Sequence, residues 1–233
     1  MILICFPHAG GFSMYYGFLR KHEYQNIDKI FLFDYPRKDF ALSGSSADFQ
    51  CYVNAAVEYI KACTQEDHDY TLFGHSMGAF VACEAGLAMQ NIHGIPPKGV
   101  IVSGQNPPYA VTLGKHLEMP TDLYAFAKKL GGVPQKILDN PQMCEKLYKF
   151  GEADMKAVST YQPTPTADNE RLENGMILRG SDDFIVDTAY HEHWNKTFRH
   201  ILSEKIFTGD HFYFNNHQEE LASLIDEFVG NTK

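Results

Sequence analysis

The chain has 233 residues, enough for one α/β domain with a large buried core, and its 44% hydrophobic and 21% charged residues exclude a disordered or fibrous protein. A formal net charge of −9 argues against a chain-wide basic surface and therefore against nucleic-acid binding. Five cysteines, an odd number without C-x-x-C spacing, favour reduced thiols in the cytoplasm over a disulfide framework or a zinc site, so we expect no metal.

Short apolar runs alternate with patterns of helical length, which is typical of a parallel sheet covered by helices on both faces. Met1–Phe6 is apolar but has no basic leader and stops at Pro7, so we expect a buried strand and no membrane association. The predicted strands are Ile2–Phe6, Lys29–Asp34, Tyr70–Gly74, Gly99–Ser103, Met176–Arg179 and Glu204–Phe207. The predicted helices between them are roughly Met14–Lys21, Ala47–Gln65, Met77–Met89, Thr188–Thr197 and Gln218–Val229.

The interval of about 109–165 departs from this alternation, because it carries helical patterns and no strand pattern. Helices are predicted near Asp122–Leu130, Pro134–Leu138, Gln142–Phe150 and Asp154–Tyr161. Function in α/β sheets gathers at the carboxyl ends of the strands, so a helical insertion that leaves Gly99–Ser103 is predicted to form a lid. A subdomain that only adds stability is the alternative. We interpret residues 1–233 as a single domain with this insertion.

The segment Gly74–Gly78 fits G-x-S-x-G, the nucleophile elbow, in which glycines permit a tight turn that exposes the serine hydroxyl. The motif is weak alone, but here a predicted strand precedes it and an apolar helical pattern follows it, as the motif requires. The pattern predicts Ser76 as a nucleophile on an α/β-hydrolase fold.

A serine hydroxyl needs a histidine to accept its proton and a carboxylate to orient that histidine, and in this fold the chain order is serine, acid, histidine. His211 alone among the eleven histidines lies in a loop just after the last predicted strand, in Gly209–Phe212, with one more helix to follow, so it is the candidate base. Asp182 and Asp183 both follow the strand Met176–Arg179 and are both candidate acids, although an aspartate there could simply cap the turn.

The oxyanion of the transition state needs two backbone N–H donors, one after the nucleophile and one from the loop after an earlier strand. Met77 follows Ser76, and the glycine-rich loop His8–Gly11 follows the first predicted strand. We therefore assign the two donors to the backbone N–H groups of Met77 and Ala9. No cofactor is needed for this chemistry.

The chain resembles the type II thioesterases, which edit nonribosomal peptide and polyketide synthases. The resemblance covers nearly the whole chain. No single element is decisive, but all of them together in the same order along the chain are specific. They are Cys5–Gly11 with Tyr15 and Tyr16, Asp34–Pro36, Leu72–Ala79, Asp154 with Tyr161, Gly180 with Asp183, Trp194, and Gly209–Phe212. The position of the acid in related hydrolases implies Asp183 and leaves Asp182 as the rival.

The chain departs from this family at two places. Tyr-Pro is usually followed by Gly-Arg-Gly in the family, whereas Pro36–Asp39 of this chain reads Pro-Arg-Lys-Asp, so we expect the loop after the second strand to differ in shape from that of the family. The chain also starts at the strand that leads into the oxyanion loop, so we expect six strands rather than seven.

The resemblance implies an acyl or peptidyl carrier protein as partner, with the acyl chain on its phosphopantetheine arm, and a cytoplasmic monomer as the enzyme. Carrier domains are typically acidic, and Ala110–Pro165 has seven lysines against six acidic residues while the whole chain is at −9. Lys128 and Lys129 are therefore candidate docking residues, with ordinary solvated helix faces as the alternative. Candidate residues for the acyl pocket, which could equally be core, are Phe80, Tyr124, Phe126, Tyr148 and Phe150.

Two other functions fit the same residues. A serine triad does not distinguish an oxygen from a sulfur leaving group, so a small-molecule carboxylesterase, a lipase or an acyl-CoA thioesterase is the alternative. A hydrolase-shaped binding protein without turnover is a second alternative from another class, and labelling of Ser76 by a fluorophosphonate would discriminate against it.

Overall fold

The computed structural model describes residues 1–37, 48–64, 69–114, 123–131 and 139–233. These residues form a six-stranded sheet in which every neighbouring pair of strands is parallel. The strands are β1 (Ile2–Phe6), β2 (Lys29–Leu32), β3 (Tyr70–His75), β4 (Gly99–Ser103), β5 (Leu172–Gly180) and β6 (Phe198–Phe207). The spatial order is β2-β1-β3-β4-β5-β6, which confirms the predicted six-stranded α/β fold.

Helices connect the strands as the sequence predicts, with some differences in type. The α-helices are α1 (Phe49–Cys63), α2 (Met77–Asn91), α3 (Pro108–Thr112), α4 (Leu123–Leu130), α5 (Pro141–Ser159) and α6 (Gln218–Asn231). The helices predicted at Met14–Lys21 and Thr188–Thr197 are 3₁₀ helices, at Ser13–Lys21 and Thr188–Lys196. A third, Tyr213–Asn215, follows β6.

The sheet separates two hydrophobic cores, as alternation along β1 makes clear. Ile2, Ile4 and Phe6 lie in one buried cluster with residues of α1 and α2, whereas Leu3 and Cys5 lie in the other with residues of α6. Successive side chains of a strand point to opposite faces, so a strand that is apolar throughout is covered on both faces.

Strands β5 and β6 begin earlier than predicted, at Leu172 and Phe198. The first pair of residues in their register is Leu172 with Phe198. Strand β6 lies at the edge of the sheet and most of its residues are partly or fully exposed. Its first half interrupts the apolar residues with Arg199 and His200, so no continuous apolar run marks it as a strand.

The segment between β4 and β5 is helical and contains no strand among its described residues. The helices predicted separately at Gln142–Phe150 and Asp154–Tyr161 are a single helix, α5, so the prediction of a break was wrong. Asn140 caps this helix by accepting hydrogen bonds from two backbone N–H groups, and the sequence around Gly151 does not interrupt it. The helix predicted at Pro134–Leu138 lies outside the described residues.

Chain order reverses direction at β1, since β2 lies on one side of it and β3 on the other. Ligands of open α/β sheets bind at such a switch point, outside the carboxyl ends of the strands. The loops after β1 and β3 meet there, because Phe6 is the register partner of Gly74. None of the described helices is both long enough and apolar enough to span a bilayer.

Candidate active site

Ser76 occupies the tight turn between β3 and α2, with φ 55° and ψ −120°. It is the one residue other than glycine with positive φ in the described ranges, and such backbone strain clusters at functional sites. A Cβ at Gly74 would lie 2.0 Å from the Gly78 carbonyl oxygen, and one at Gly78 would lie 2.1 Å from that of Phe6. The glycines of the motif are therefore required for the turn to fit against β1.

His211 and Asp183 form a buried pair at the neighbouring strand ends. The imidazole Nδ1 lies 2.9 Å from Asp183 Oδ2, and both side chains are at most 1% exposed. Asp183 Oδ1 also accepts a hydrogen bond from the backbone N–H of Ile185, at 3.0 Å. Asp182 is exposed and its carboxylate accepts a hydrogen bond from the Ser181 hydroxyl instead, so the geometry joins Asp183 rather than Asp182 to the histidine.

The imidazole of His211 lies beside the nucleophile turn. Its ring centroid is 4.6 Å from that of His75, the residue that precedes Ser76. No hydrogen bond between the Ser76 hydroxyl and His211 occurs within the described ranges, and such bonds often form only when substrate is present. The backbone N–H of Ser76 donates to the Ser103 carbonyl at 2.8 Å, which ties the turn to β4.

The two candidate oxyanion donors lie on adjacent loops. Met77 is the first residue of α2, where an N–H has no acceptor within its own helix. In the loop after β1, the N–H of Gly11 donates to the His8 carbonyl at 2.9 Å and the N–H of Gly10 donates to Asp154 at 2.7 Å. The N–H of Ala9 has no acceptor among the residues described, so it is available to a substrate oxygen.

Two further histidines are buried beneath the candidate triad. Burial, with the nearby charges of His211 and Arg37, lowers the pKa of His8 to about 3. Burial also holds the pKa of His75 well below its usual value, and its Nδ1 lies 2.8 Å from the Ser103 hydroxyl. That hydroxyl is 2.6 Å from Tyr213 OH. The sequence gives no signal for this network, because its members come from three separate segments.

An ion pair between Arg37 and Asp154 lies next to the oxyanion loop. Arg37 Nη2 is 2.6 Å from Asp154 Oδ2, and the two side chains are 5% and 0% exposed. Burial opposes the charged form of Arg37, but the hydrogen bond and the charge of Asp154 outweigh it and raise the pKa of the guanidinium. The sequence marked Asp154 only through the family resemblance, and Arg37 only as a departure from it.

The aromatic residues predicted for the acyl pocket fall into different environments. Phe80 is 4% exposed and its ring lies 4.5 Å from that of Tyr161, so it is part of the core below α5. Phe150 is half-buried and packs edge to face against Phe12 at 5.5 Å. Tyr148 is also half-buried, and the side chain of Tyr124 lies outside the described part of the structure.

Helix α4 contacts the loop that carries the candidate acid. Phe126 packs edge to face against Phe184 with 6.1 Å between ring centroids. The Nζ atom of Lys129 lies 4.1 Å from the centroid of the same ring, a cation–π contact. Lys128 and Lys129 are both exposed, but Lys129 already has an intramolecular partner.

Comparison with known proteins shows which family the chain is similar to. The family model described as "Thioesterase domain" matches residues 1–229. The chain is 29% identical over 235 residues to phenyloxazoline synthase MbtB of Mycobacterium tuberculosis, a match that covers 97% of the chain and 16% of that protein. It is 25% identical to thioesterase PikA5 of Streptomyces venezuelae, with 97% of the chain and 80% of that protein covered.

Solved structures share the fold at lower identity. ClbQ from the colibactin NRPS/PKS pathway superposes with a TM-score of 0.80 at 22% identity, with 99% of this chain and 97% of that one covered. The type II thioesterase BorB from the borrelidin biosynthetic cluster gives a TM-score of 0.78 at 23% identity, with 98% and 92% covered. Because the family model spans nearly the whole sequence, the chain belongs to the thioesterase family.

Proposed function

We propose that this chain is a type II thioesterase that hydrolyses acyl groups from the phosphopantetheine arm of carrier proteins, removing stalled or wrongly loaded chains. The buried pair of Asp183 and His211 beside the strained turn of Ser76 is the observation that carries the proposal. The family match supports thioester hydrolysis. The substrate class is supported by relatives named thioesterase PikA5 and probable anguibactin biosynthesis thioesterase AngT.

The tautomer of His211 follows from its partner. Asp183 Oδ2 accepts a hydrogen bond from the Nδ1–H group, so the neutral imidazole keeps Nε2 free to act as the base. Asp183 also stabilises the imidazolium that forms when Nε2 takes a proton. Its second oxygen is held by the Ile185 N–H, which fixes the carboxylate in the orientation that His211 needs.

The reaction proceeds in two halves. Ser76 Oγ attacks the thioester carbonyl carbon as its proton passes to His211, and the resulting oxyanion accepts hydrogen bonds from the Ala9 and Met77 N–H groups. The C–S bond then breaks and the thiol leaves with the proton from His211. Water next attacks the acyl-Ser76 ester, gives its proton to His211, and the acid departs as Ser76 recovers that proton.

Helix α4 and the first half of α5, which belong to the segment between β4 and β5, are proposed to form the lid over this site. Helix α4 contacts Phe184, the residue after the proposed acid, so its position bears directly on that edge of the site. We propose that the enzyme acts as a monomer and that the carrier protein approaches it from this side. Of the two lysines proposed for docking, Lys128 is the better candidate because Lys129 lies over the Phe184 ring.

A competition between leaving groups tests the substrate. Acyl-carrier proteins, acyl-CoAs and simple oxygen esters of matched chain length are compared in single-turnover release followed by mass spectrometry. We expect the highest kcat/KM for the acyl-carrier protein. Faster release from oxygen esters would identify an esterase or lipase, and equal rates for acyl-CoA would remove the carrier protein from the proposal.

A further inference from the structure

The loop that carries the proposed oxyanion donor Ala9 is held by a buried ion pair. Asp154 accepts the backbone N–H of Gly10 at 2.7 Å, and Arg37 Nη2 donates to the carbonyl oxygen of Gly11 at 2.8 Å. The two charged side chains therefore hydrogen-bond to the backbone of the two residues that directly follow Ala9. The Ala9 N–H itself has no acceptor in the described ranges.

The geometry of the ion pair is well suited to fixing a backbone. Arg37 Nε lies 3.0 Å from both carboxylate oxygens of Asp154, and Nη2 lies 2.6 Å from one of them. Charge-assisted bonds of this forked kind are stronger and more directional than neutral ones. Three aromatic rings, those of Phe12, Tyr35 and Phe150, lie 5.0 to 5.8 Å from the guanidinium carbon and leave it little freedom to move.

The pair also joins the loop to helix α5, on which Asp154 lies. Gly10 has φ 75°, and a Cβ there would lie 3.3 Å from the Gly151 Cα of α5. The loop and the helix therefore touch through their backbones as well as through the carboxylate. A shift of α5 in the region of Gly151 and Asp154 would move the Ala9–Gly10 peptide, which directly follows the peptide that carries the proposed oxyanion donor.

We propose that Arg37 and Asp154 are positioning residues for the oxyanion hole, holding the Ala9 N–H in its productive orientation and coupling that orientation to the seating of α5. The inference rests on the proposed function, since it takes Ala9 to be an oxyanion donor. It gives a role to Arg37, the first residue at which the sequence departs from the usual family pattern.

A matched pair of double variants isolates the contact with Gly10. Arg37→Met/Asp154→Asn and Arg37→Met/Asp154→Leu both lose the ion pair without leaving one buried charge unpaired, which would be strongly destabilising. Only the asparagine version keeps an oxygen that can accept the Gly10 N–H. Tyr52→Phe is the control, because Tyr52 OH donates to the same carboxylate at 2.8 Å and its removal leaves both the ion pair and the acceptor for Gly10 in place.

The readouts are kcat, KM and the affinity of an alkyl boronic acid. The boronic acid adds Ser76 Oγ to boron, the serine proton passes to His211, and one oxygen of the resulting anion occupies the oxyanion position. For the leucine version we expect kcat/KM and boronate affinity both to fall about 10²-fold, with KM changed less than about threefold. The asparagine version should have a kcat/KM and a boronate affinity about tenfold higher than those of the leucine version. In Tyr52→Phe both quantities should stay within about threefold of wild type.

A leucine version that folds with wild-type kcat and boronate affinity would overturn the inference, as would a loss confined to KM. If the double variants do not fold, Arg37→Lys carries the test, since it keeps a positive charge beside Asp154 but loses the fork that also reaches Gly11. It should lower kcat and boronate affinity together, and an unchanged boronate affinity would contradict the proposal. Wild-type protein that neither binds the boronate nor turns over thioester would instead show that the proposed function is wrong.

Discussion

Two regions close to the candidate site differ sharply in how they are held. The inner region comprises the carboxyl edge of the sheet and the second half of α5, where Asp154, Met155, Ala157 and Val158 are buried. The outer region comprises α4 and the first half of α5, Pro141–Phe150, whose described side chains are exposed or half-buried. Helix α5 therefore runs from one region into the other without a break.

The inner half of α5 is anchored at two points. Asp154 is bound by Arg37, and just beyond the helix Tyr161 donates to the Glu84 carboxylate at 2.6 Å. Glu84 lies on α2, the helix that starts directly after Ser76. A lid that moved as one body would have to break both buried contacts, so any movement belongs to the outer region. Substitutions in the inner region should therefore cost far more than substitutions in the outer one.

The largest effect is expected at the nucleophile. Ser76→Ala should lower kcat by about 10⁴-fold or more, because no other hydroxyl takes its place in the elbow. Ser159→Ala is the control, since that hydroxyl is exposed and bonds to the Lys156 carbonyl. Steady-state thioester hydrolysis measures both, and a Ser76→Ala protein with more than a tenth of wild-type activity would contradict the assignment.

The choice between two adjacent aspartates gives the next largest effect. Asp183→Asn should lower kcat about 10³- to 10⁴-fold, because the amide favours the wrong tautomer of His211. Asp182→Asn should change it less than about twofold, since its carboxylate is exposed and bonds only to Ser181 in the described structure. Equal losses in the two variants would show that the pairing seen at 2.9 Å does not operate in catalysis.

Burial of His8 predicts that stability falls in mild acid. Its pKa is about 3 in the folded protein and about 6.5 when unfolded, so the unfolded chain binds more protons below pH 6.5 and stability is lost as pH falls from there toward 3. At pH 5 the loss from this residue is about 2 kcal/mol relative to pH 7.5. Urea unfolding at the two pH values should show a smaller pH dependence in His8→Gln, and an unchanged dependence would contradict the account.

The anchor at the end of α5 should matter for stability more than for chemistry. Tyr161→Phe removes a buried hydrogen bond to a carboxylate and should cost about 1.5 kcal/mol, or about 3–6 °C in melting temperature. Lys149→Ala, in the outer half, breaks an exposed ion pair with Glu145 and should leave the melting temperature unchanged. Similar changes in melting temperature for the two variants would contradict the claim that the inner region is held more firmly than the outer one.

The smallest effect is expected on the outer surface. Lys128→Glu should lower kcat/KM for acyl-carrier protein about threefold at low salt, because an acidic partner would meet a reversed charge. The effect should vanish at high salt and should be absent with acyl-CoA. Lys129→Glu is the informative comparison, since its Nζ lies over Phe184 and its loss should affect both substrates alike.

The sequence predicted the sheet and Ser76 because both leave local signals, whereas Asp183 was preferred to Asp182 only through the family resemblance. Continuous apolar runs mark the buried strands β1, β3 and β4, and the glycines around Ser76 mark the elbow. Strand β6 begins earlier than predicted because an edge strand needs no apolar run. The pairing of Arg37 with Asp154 could not be predicted, because 117 residues separate them and the loop departs from the family pattern.

The central claim is that Ser76 is the activated nucleophile, and labelling with a fluorophosphonate followed by peptide mapping tests it most directly. We expect one equivalent of label on Ser76 in the wild-type protein, and strongly reduced labelling in the His211→Ala variant because the base is missing. Absence of label from folded wild-type protein, or a label on another residue, would contradict the account.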